Sequence, residues 1–187
     1  MRFVSPDWPL ETSRLTLRPF VEGDFEAMHA MRSHPEVARY LYQEPLSESE
    51  TRSRLERSMK TTAWAVEGDW LGAAVVERAT GLTVGDIGLH WVSERDRTAE
   101  IGFVFDPRQQ GKGFATEAAG ALLDWAFTEA GFHRVIGRTE ARNAASARVL
   151  EKLGMRLEAH LVENEWVKGE WQSELVYAIL EREWREP

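Results

Sequence analysis

Cysteine is missing from all 187 residues of the sequence. Disulfides, thiolate metal ligands and a cysteine nucleophile are therefore excluded on the protein side. Positive charge is also scarce, since 23 Lys and Arg face 31 Asp and Glu and leave a formal net charge of −8. Because nucleic-acid binding depends on clustered cations, this balance argues against a nucleic-acid partner.

Long hydrophobic runs are absent as well. No stretch approaches the length of a membrane span, and residues 1–7 contain no apolar core of signal-peptide length. We therefore expect no membrane partner and a cytoplasmic location. An apolar fraction of 43% over 187 residues supports one well-buried core but not two, so we expect one domain over residues 1–187.

Turn signals and hydrophobic spacing divide the chain into strands and helices. Three consecutive apolar runs in the middle are separated by short polar breaks, which favours antiparallel hairpins. Apolar residues then recur at helical spacing, and glycines end the two helices that this spacing predicts. The predicted strands are 14–19, 70–77, 83–92, 98–105, 133–139, 157–166 and 171–180, and the predicted helices are 24–31, one opened by a capping box at Ser47 and Glu50, one over the apolar stripe 115–126, and 144–153.

The most informative segment is 106–117, where a strand runs into a turn and the turn opens directly onto a helix. Gly111 and Gly113 remove side chains where a backbone must approach a ligand. The helix start offers unpaired N–H donors and a partial positive charge. The segment therefore predicts a phosphate-binding site.

The same glycines could belong to a dinucleotide-binding fingerprint, with Glu140 at the end of the next strand as the ribose-binding acid. Thr116 stands in place of the third glycine, however. Too few residues follow Glu140 to supply the further strand-helix units of a doubly wound sheet. The sequence therefore disfavours a dehydrogenase.

Arg108-x-x-Gly111-x-Gly113 with residues 115–117 resembles the pyrophosphate loop of GNAT N-acetyltransferases. Asn143-x-x-Ser146 with residues 151–155, and the opening residues 12–18, resemble the RimJ/RimL branch of that superfamily. The resemblance covers nearly the whole chain. It implies a single α/β (α+β) domain, with a mixed, mostly antiparallel central sheet, helices on both faces and a splayed strand pair that holds the cofactor.

In this family, acetyl-coenzyme A (acetyl-CoA) lies between two neighbouring parallel strands, which here are 98–105 and 133–139. The first strand bonds the pantetheine arm and the turn holds the pyrophosphate. Arg108 and Lys112 either add charge near the phosphates or are solvated surface residues. The cofactor-binding residues that the resemblance implies are Phe103, Val104, Phe105, Arg108, Gln109, Gln110, Gly111, Lys112, Gly113, Phe114, Ala115, Thr116, Asn143 and Ser146.

Acetyl transfer to an amine needs an unprotonated nucleophile and a proton for the departing thiolate. Many GNAT enzymes supply that proton from a tyrosine seven residues after the asparagine, where this chain has Leu150. The RimJ/RimL branch places a serine three residues after it, which corresponds to Ser146. Ser146 also heads the apolar stripe that continues with Val149 and Leu153. The alternative is that Ser146 helps to cap its own helix.

Two glutamates are candidates for the catalytic base. Glu165 lies in the first strand of the closing hairpin, where RimL-like enzymes carry a glutamate proposed to accept the proton of the amine. Trp166 and Val167 would desolvate one flank of it. Its alternative role is a charged strand face exposed to water. Glu100, on a central strand, is the second candidate, and a buried ion pair would explain it as well.

Trp64, Trp91, Trp166 and Trp171 are candidates for the wall of the acceptor site, and we expect at least two of them to be core residues only. Histidine spacing predicts no metal site. The resemblance implies an N-acetyltransferase that uses acetyl-CoA and an amine acceptor by direct attack, since a ping-pong route lacks its usual cysteine. The alternative is a non-catalytic acyl-CoA-binding module. We expect a monomer or a homodimer.

Overall fold

The structure is a computed structural model that describes residues 5–185, so the ends of the predicted domain, 1–4 and 186–187, lie outside the described residues. Its longer elements begin and end close to the predicted positions. The strands are β1 (Leu10–Glu11), β2 (Leu15–Arg18), β3 (Trp70–Glu77), β4 (Thr83–Ser93), β5 (Thr98–Phe105), β6 (Arg134–Glu140), β7 (Arg156–Val167) and β8 (Glu170–Leu180). The helices are α1 (Phe25–Arg32), α2 (Pro35–Ala38), α3 (Glu48–Lys60), α4 (Phe114–Thr128), α5 (Ala144–Lys152) and α6 (Glu181–Arg185).

The eight strands form one sheet in the order β1-β2-β3-β4-β5-β6-β8-β7. Every neighbouring pair is antiparallel except β5 and β6, which are parallel. A parallel pair needs a crossover connection, and α4 supplies it. The predicted mixed, mostly antiparallel sheet is therefore confirmed.

Helices pack on both faces of the sheet, as predicted. On one face, apolar residues of α4 and α5, among them Leu123 and Leu150, join the sheet in the main core. On the other face, α1 and α3 cover a smaller core made of Phe20, Met28, Leu55 and Ala74. None of the helices within residues 5–185 combines the length and the apolar character needed to cross a membrane.

The strands β5 and β6 separate after four paired residues. Residues 98–101 pair with residues 134–137, and beyond them β5 continues only against β4 and β6 only against β8. Leu150 of α5 fills the space beside Gly137, where a Cβ would lie 2.7 Å from the leucine Cδ2. Gly137 therefore allows α5 to pack closely on β6, and the predicted splayed strand pair is confirmed.

Glu117 ties the first turn of α4 to the N-terminal segment. Its carboxylate accepts hydrogen bonds from the Thr12 and Ser13 hydroxyls at 2.6 and 3.0 Å and from the Arg14 N–H at 2.9 Å. The Arg14 guanidinium adds an ion pair at 2.6 Å. Partial burial opposes ionisation of this carboxyl, but the hydrogen bonds from Thr12, Arg14 and Ser13 outweigh it and lower the pKa of Glu117 to about 2.

The change Glu117→Gln should reduce the free energy of unfolding at neutral pH by ~1–2 kcal/mol, because a neutral amide accepts these bonds less strongly. The folded-state pKa lies below the ordinary glutamate value of 4.5, so the stabilisation is fully present above that pH. It is lost as the pH falls towards about 2. Urea unfolding of both proteins at a series of pH values measures the difference.

Glu129→Gln is the matched control, because Glu129 is an exposed residue at the end of the same helix. We expect the stability gap between Glu117→Gln and wild type to shrink as the pH falls, while the control stays close to wild type throughout. A gap that does not change with pH would contradict the role given to the ionised Glu117.

Candidate active site

The turn between β5 and α4 presents unpaired main-chain donors. Asp106 begins the turn, and its carboxylate accepts the Arg108 N–H at 2.9 Å. Gly111 and Gly113 have φ values of 77° and 80°, in the left-handed region that glycine adopts without strain. Within the described part of the chain, the N–H groups of residues 111–116 donate to no main-chain carbonyl. These donors and the start of α4 suit an anionic group.

The turn borders a cavity of about 690 Å³, which we call the loop cavity. This cavity follows the edge of β5 that β6 leaves unpaired and is closed by residues of α2 and α5. All but two of the predicted cofactor-binding residues line it, namely Phe103, Val104, Phe105, Gln109, Gln110, Gly111, Gly113, Phe114, Ala115, Thr116, Asn143 and Ser146.

The two exceptions are Arg108 and Lys112. The Arg108 guanidinium forms an ion pair with Asp106 at 2.7 Å, and the Arg108 side chain is 76% exposed. The Lys112 Nζ donates to the Gln109 Oε1 at 2.6 Å. These contacts favour the alternative that both cations are surface residues, and the structure does not bring either side chain into the loop cavity.

The loop cavity fits the acetyl-CoA that the sequence resemblance implies. Free main-chain donors suit a diphosphate, and an unpaired strand edge suits an extended arm that contains amides. For metals, no group of three or more His, Asp and Glu side chains within residues 5–185 is arranged to hold an ion.

A second cavity, which we call the central cavity, has a volume of about 560 Å³. It lies on the face of the sheet that α1 and α3 cover. Its floor is a row of register partners on β3, β4 and β5, namely Gly72, Gly88 and Gly102. A Cβ on Gly88 would come within 2.6 Å of the Leu71 carbonyl oxygen, and one on Gly102 within 3.0 Å of the Trp70 ring. The row therefore contributes no side chain of its own to the cavity.

The loop cavity and the central cavity meet beside the free edge of β5. Two of the residues that border both cavities, Asn143 and Ser146, are at the start of α5. The complete set shared by the two cavities is Tyr40, Leu41, Phe103, Val104, Asn143 and Ser146. A ligand that extends from the loop cavity can therefore contact a ligand bound in the central cavity at this junction.

The start of α5 leaves one hydroxyl free at this junction. The Asn143 Oδ1 accepts the Ser146 N–H at 3.1 Å, so the asparagine side chain caps the helix. The Ser146 hydroxyl itself makes no hydrogen bond with another described residue. Capping therefore does not occupy this hydroxyl, which borders both cavities.

Glu100 of β5 is a half-buried carboxylate in the central cavity. Burial raises the pKa of Glu100, while the electrostatic effects of Arg138 and His90 act in the opposite direction. Its register partner on β4 is His90, whose ring stacks on Trp70 with centroids 5.3 Å apart. Glu100 makes no hydrogen bond or ion pair within the described chain. This carboxylate is therefore more basic than an ordinary glutamate and free to accept a proton.

Glu165 lines the same cavity from β7 and is half-buried. The sequence analysis missed its neighbour Glu174 on β8, which is 4% exposed. Glu174 accepts the Tyr42 hydroxyl at 3.1 Å and forms an ion pair with Arg138 at 2.8 Å. Burial and the carboxylates of Glu174 and Glu165 raise the pKa of the Tyr42 phenol. The alternation of buried Gln172 and Glu174 along β8 is the signal that could have indicated this site.

None of the four tryptophans proposed for the acceptor wall lines the central cavity. Trp64 and Trp91 are core residues, with 2% and 3% exposure. Trp166 and Trp171 lie on the outer hairpin, 61% and 57% exposed, with ring centroids 5.3 Å apart. The expectation that at least two are core is confirmed, but the tryptophan that lines the central cavity is Trp70.

Comparison with known proteins agrees with the family resemblance seen in the sequence. Residues 14–156 match the family described as Acetyltransferase (GNAT) domain. The uncharacterized N-acetyltransferase YnaD of Bacillus subtilis strain 168 is 32% identical over 175 residues, which cover 94% of this chain and 98% of YnaD. A GNAT-family acetyltransferase from Bacillus anthracis has a crystal structure with a TM-score of 0.84 and 33% identity, covering 93% of this chain and 99% of its own.

A further structure shows the fold at lower identity. It is the spermidine N-acetyltransferase of Vibrio cholerae in complex with CoA and spermine, with a TM-score of 0.78 and 24% identity over 94% of this chain and 100% of that one. The family match spans most of the sequence, and YnaD and the Bacillus anthracis protein are similar along nearly their whole lengths. The chain therefore belongs to the GNAT family of acetyltransferases.

Proposed function

We propose that the protein is an acetyl-CoA-dependent N-acetyltransferase that acetylates a primary amine by direct attack within a ternary complex. The observation that carries this proposal is the junction at Asn143, Ser146 and Val104, where the loop cavity meets the central cavity. Donor and acceptor can enter from opposite sides and react where the two spaces join. The Vibrio cholerae spermidine N-acetyltransferase structure contains both CoA and spermine, which agrees with a donor and an amine bound to one protein.

The donor side of the proposal uses main-chain groups. Acetyl-CoA supplies a thioester whose carbonyl carbon the amine attacks. The N–H groups of residues 111–116 hold the diphosphate, and the free edge of β5 at Phe103 and Val104 holds the arm that leads to the junction. These contacts fix the thioester in place with no contribution from Arg108 or Lys112.

Glu100 is the better placed base. Its half-buried carboxylate lacks a hydrogen-bond partner, and burial raises its pKa, so it can take a proton from the ammonium group of the acceptor. Glu165 lies in the same cavity but beside the Tyr42 hydroxyl, which also bonds Glu174. We therefore reverse the order that the resemblance implied, with Glu100 first and Glu165 second.

Ser146 completes the proton balance. The ammonium group first gives one proton to Glu100, and the amine then attacks. As the N–C bond forms and the C–S bond breaks, the Ser146 hydroxyl gives its proton to the thiolate and receives the second proton from the nitrogen, so serine ends neutral. Serine at this position, three residues after Asn143, is also what predicted the RimJ/RimL-like branch. That assignment and the cytoplasmic location remain predictions.

The non-catalytic module is the competing proposal, and it requires a closed acceptor side. The central cavity of about 560 Å³ that opens at the junction speaks against it. Calorimetry with acetyl-CoA, followed by measurement of thiol release in the presence of an amine panel, separates the two proposals. We expect binding and amine-dependent release; binding without release from any amine would favour the module.

The change Ser146→Ala should lower kcat about tenfold while the Kd for CoA changes by less than about twofold, because the lost hydroxyl acts on the leaving group rather than on the bound donor. Stopped-flow thiol release and calorimetry measure the two quantities. Ser146→Thr is the matched control, since it keeps a hydroxyl. If Ser146→Ala retains the wild-type rate, Ser146 has no part in proton transfer.

The change Glu100→Gln should lower kcat/KM for the amine by about a hundredfold or more, because the base is removed. Since burial raises the pKa of Glu100, wild-type activity should fall on the acid side at a pH above the ordinary glutamate range, and the variant should lose that inflection. Glu165→Gln is the paired variant. A larger loss for Glu165→Gln, together with loss of the inflection, would transfer the role of base to Glu165.

A further inference from the structure

One wall of the central cavity is formed by a polar face of α3. The residues that line the cavity from this element lie three, four and seven positions after Arg54, so they share one helix face. They are Arg54, Arg57, Ser58 and Thr61. Every one of these side chains is a hydrogen-bond donor, and two of them are cations.

Arg54 is the more buried of the two cations on this wall, since Arg57 is exposed. It is half-buried and forms no hydrogen bond or ion pair with another described residue. Its neighbour Arg32 is neutralised by Asp86, with two contacts at 3.1 and 2.5 Å. Burial, followed by the positive charge of Arg32, lowers the pKa of Arg54, which still leaves an arginine charged. Asp86 also attracts Arg54 but is already bound to Arg32, so Arg54 has no counter-ion of its own and is a site for an anion from outside the chain.

Arg54 and the proposed base lie on opposite sides of the glycine row, because Arg54 interacts electrostatically with Arg32 and Asp86 while Glu100 is the register partner of His90. Asp86, which marks the Arg32 end, and His90, which is paired with Glu100, are four residues apart on β4. At the rise of an extended strand this separation is ~13 Å. The bare floor at Gly88 lies between them. The central cavity is therefore cationic at one end and acidic at the other.

From this arrangement we infer that the acceptor is a primary amine that also carries an anionic group, a carboxylate or a phosphate, several bonds away from the nitrogen. The inference rests on the proposed function, because it places the amine at Glu100. The anionic group bonds Arg54 with help from the hydroxyl of Ser58, whereas the Thr61 hydroxyl donates to the Arg57 carbonyl oxygen at 3.2 Å. An α-amino acid is too short to reach both ends, and a polyamine brings a second ammonium group against Arg54.

Three substrate series of equal chain lengths test the inference on the intact protein: ω-amino carboxylates such as aminohexanoate and aminooctanoate, the matching alkylamines, and the matching diamines. We expect kcat/KM to be highest for an amino carboxylate, intermediate for the alkylamine and lowest for the diamine. Aminoalkyl phosphates of the same lengths distinguish a carboxylate from a phosphate as the preferred anion. A ranking with the diamine first would overturn the inference.

Charge variants of Arg54 locate the effect. The change Arg54→Gln should reduce kcat/KM for the best anionic amine about tenfold or more and leave the alkylamine nearly unchanged, while Arg54→Glu should place the diamine above the amino carboxylate. Arg52→Gln is the matched control, since Arg52 lies on the same helix but bonds Glu22. Equal losses for all three series in Arg54→Gln would contradict an anion site.

A binding measurement separates failure of this inference from failure of the proposed function. N-acetyl-aminooctanoate keeps the carboxylate without a reactive amine, and N-octylacetamide is its neutral counterpart. Calorimetry on the CoA-bound protein should show tighter binding of the carboxylate, lost in Arg54→Gln. If this difference is observed but no amine is acetylated, the anion site stands and the enzyme assignment fails. If amines are acetylated and the difference is absent, the anion site fails alone.

Discussion

The short parallel contact between β5 and β6 determines the geometry of the whole site. After residue 101 the two strands take different partners, and Leu150 of α5 occupies the space that Gly137 leaves beside β6. The edge of β5 over residues 102–105 is left without a strand partner on that side. Because this edge borders both cavities, a sheet paired to its end would have neither the loop cavity nor its opening to the central cavity.

The sequence was sufficient for the longer elements and for the donor side, because the signals there are local, whereas the short elements β1, α2 and α6 were not predicted. Strand alternation, helical spacing and terminating glycines fix element bounds within a few positions. The loop cavity is built mainly from one continuous segment around Gly111 and Gly113 plus the start of α5. The partners of Arg108 and Lys112 could not be predicted from the sequence, because either side chain could contact a cofactor phosphate. In the structure Arg108 binds the Asp106 carboxylate and Lys112 binds the Gln109 amide oxygen.

The acceptor side could not be predicted in the same way, because it is assembled from distant parts of the chain. Arg54 on α3, Glu100 on β5 and Glu174 on β8 meet only in the folded sheet. In the sequence, Arg54 is one charge among many on a polar helix, which is typical of a face exposed to water. The sequence also could not tell which tryptophans are core residues and which line a cavity. A large aromatic side chain suits a core position such as Trp64 and a cavity wall such as Trp70.

The row formed by Gly72, Gly88 and Gly102 shapes the central cavity without adding side-chain groups to it. These three positions present main chain and no side-chain functional groups that substitutions could alter. Any side chain at Gly88 would collide with the neighbouring strand. Selectivity can therefore diverge through the side chains around this row, on the helices, on the closing hairpin and at strand positions such as Trp70. Related proteins with the same glycine row can change their amine acceptor by substitutions around the central cavity. The loop cavity and the free edge of β5, which hold the acetyl donor, need not change.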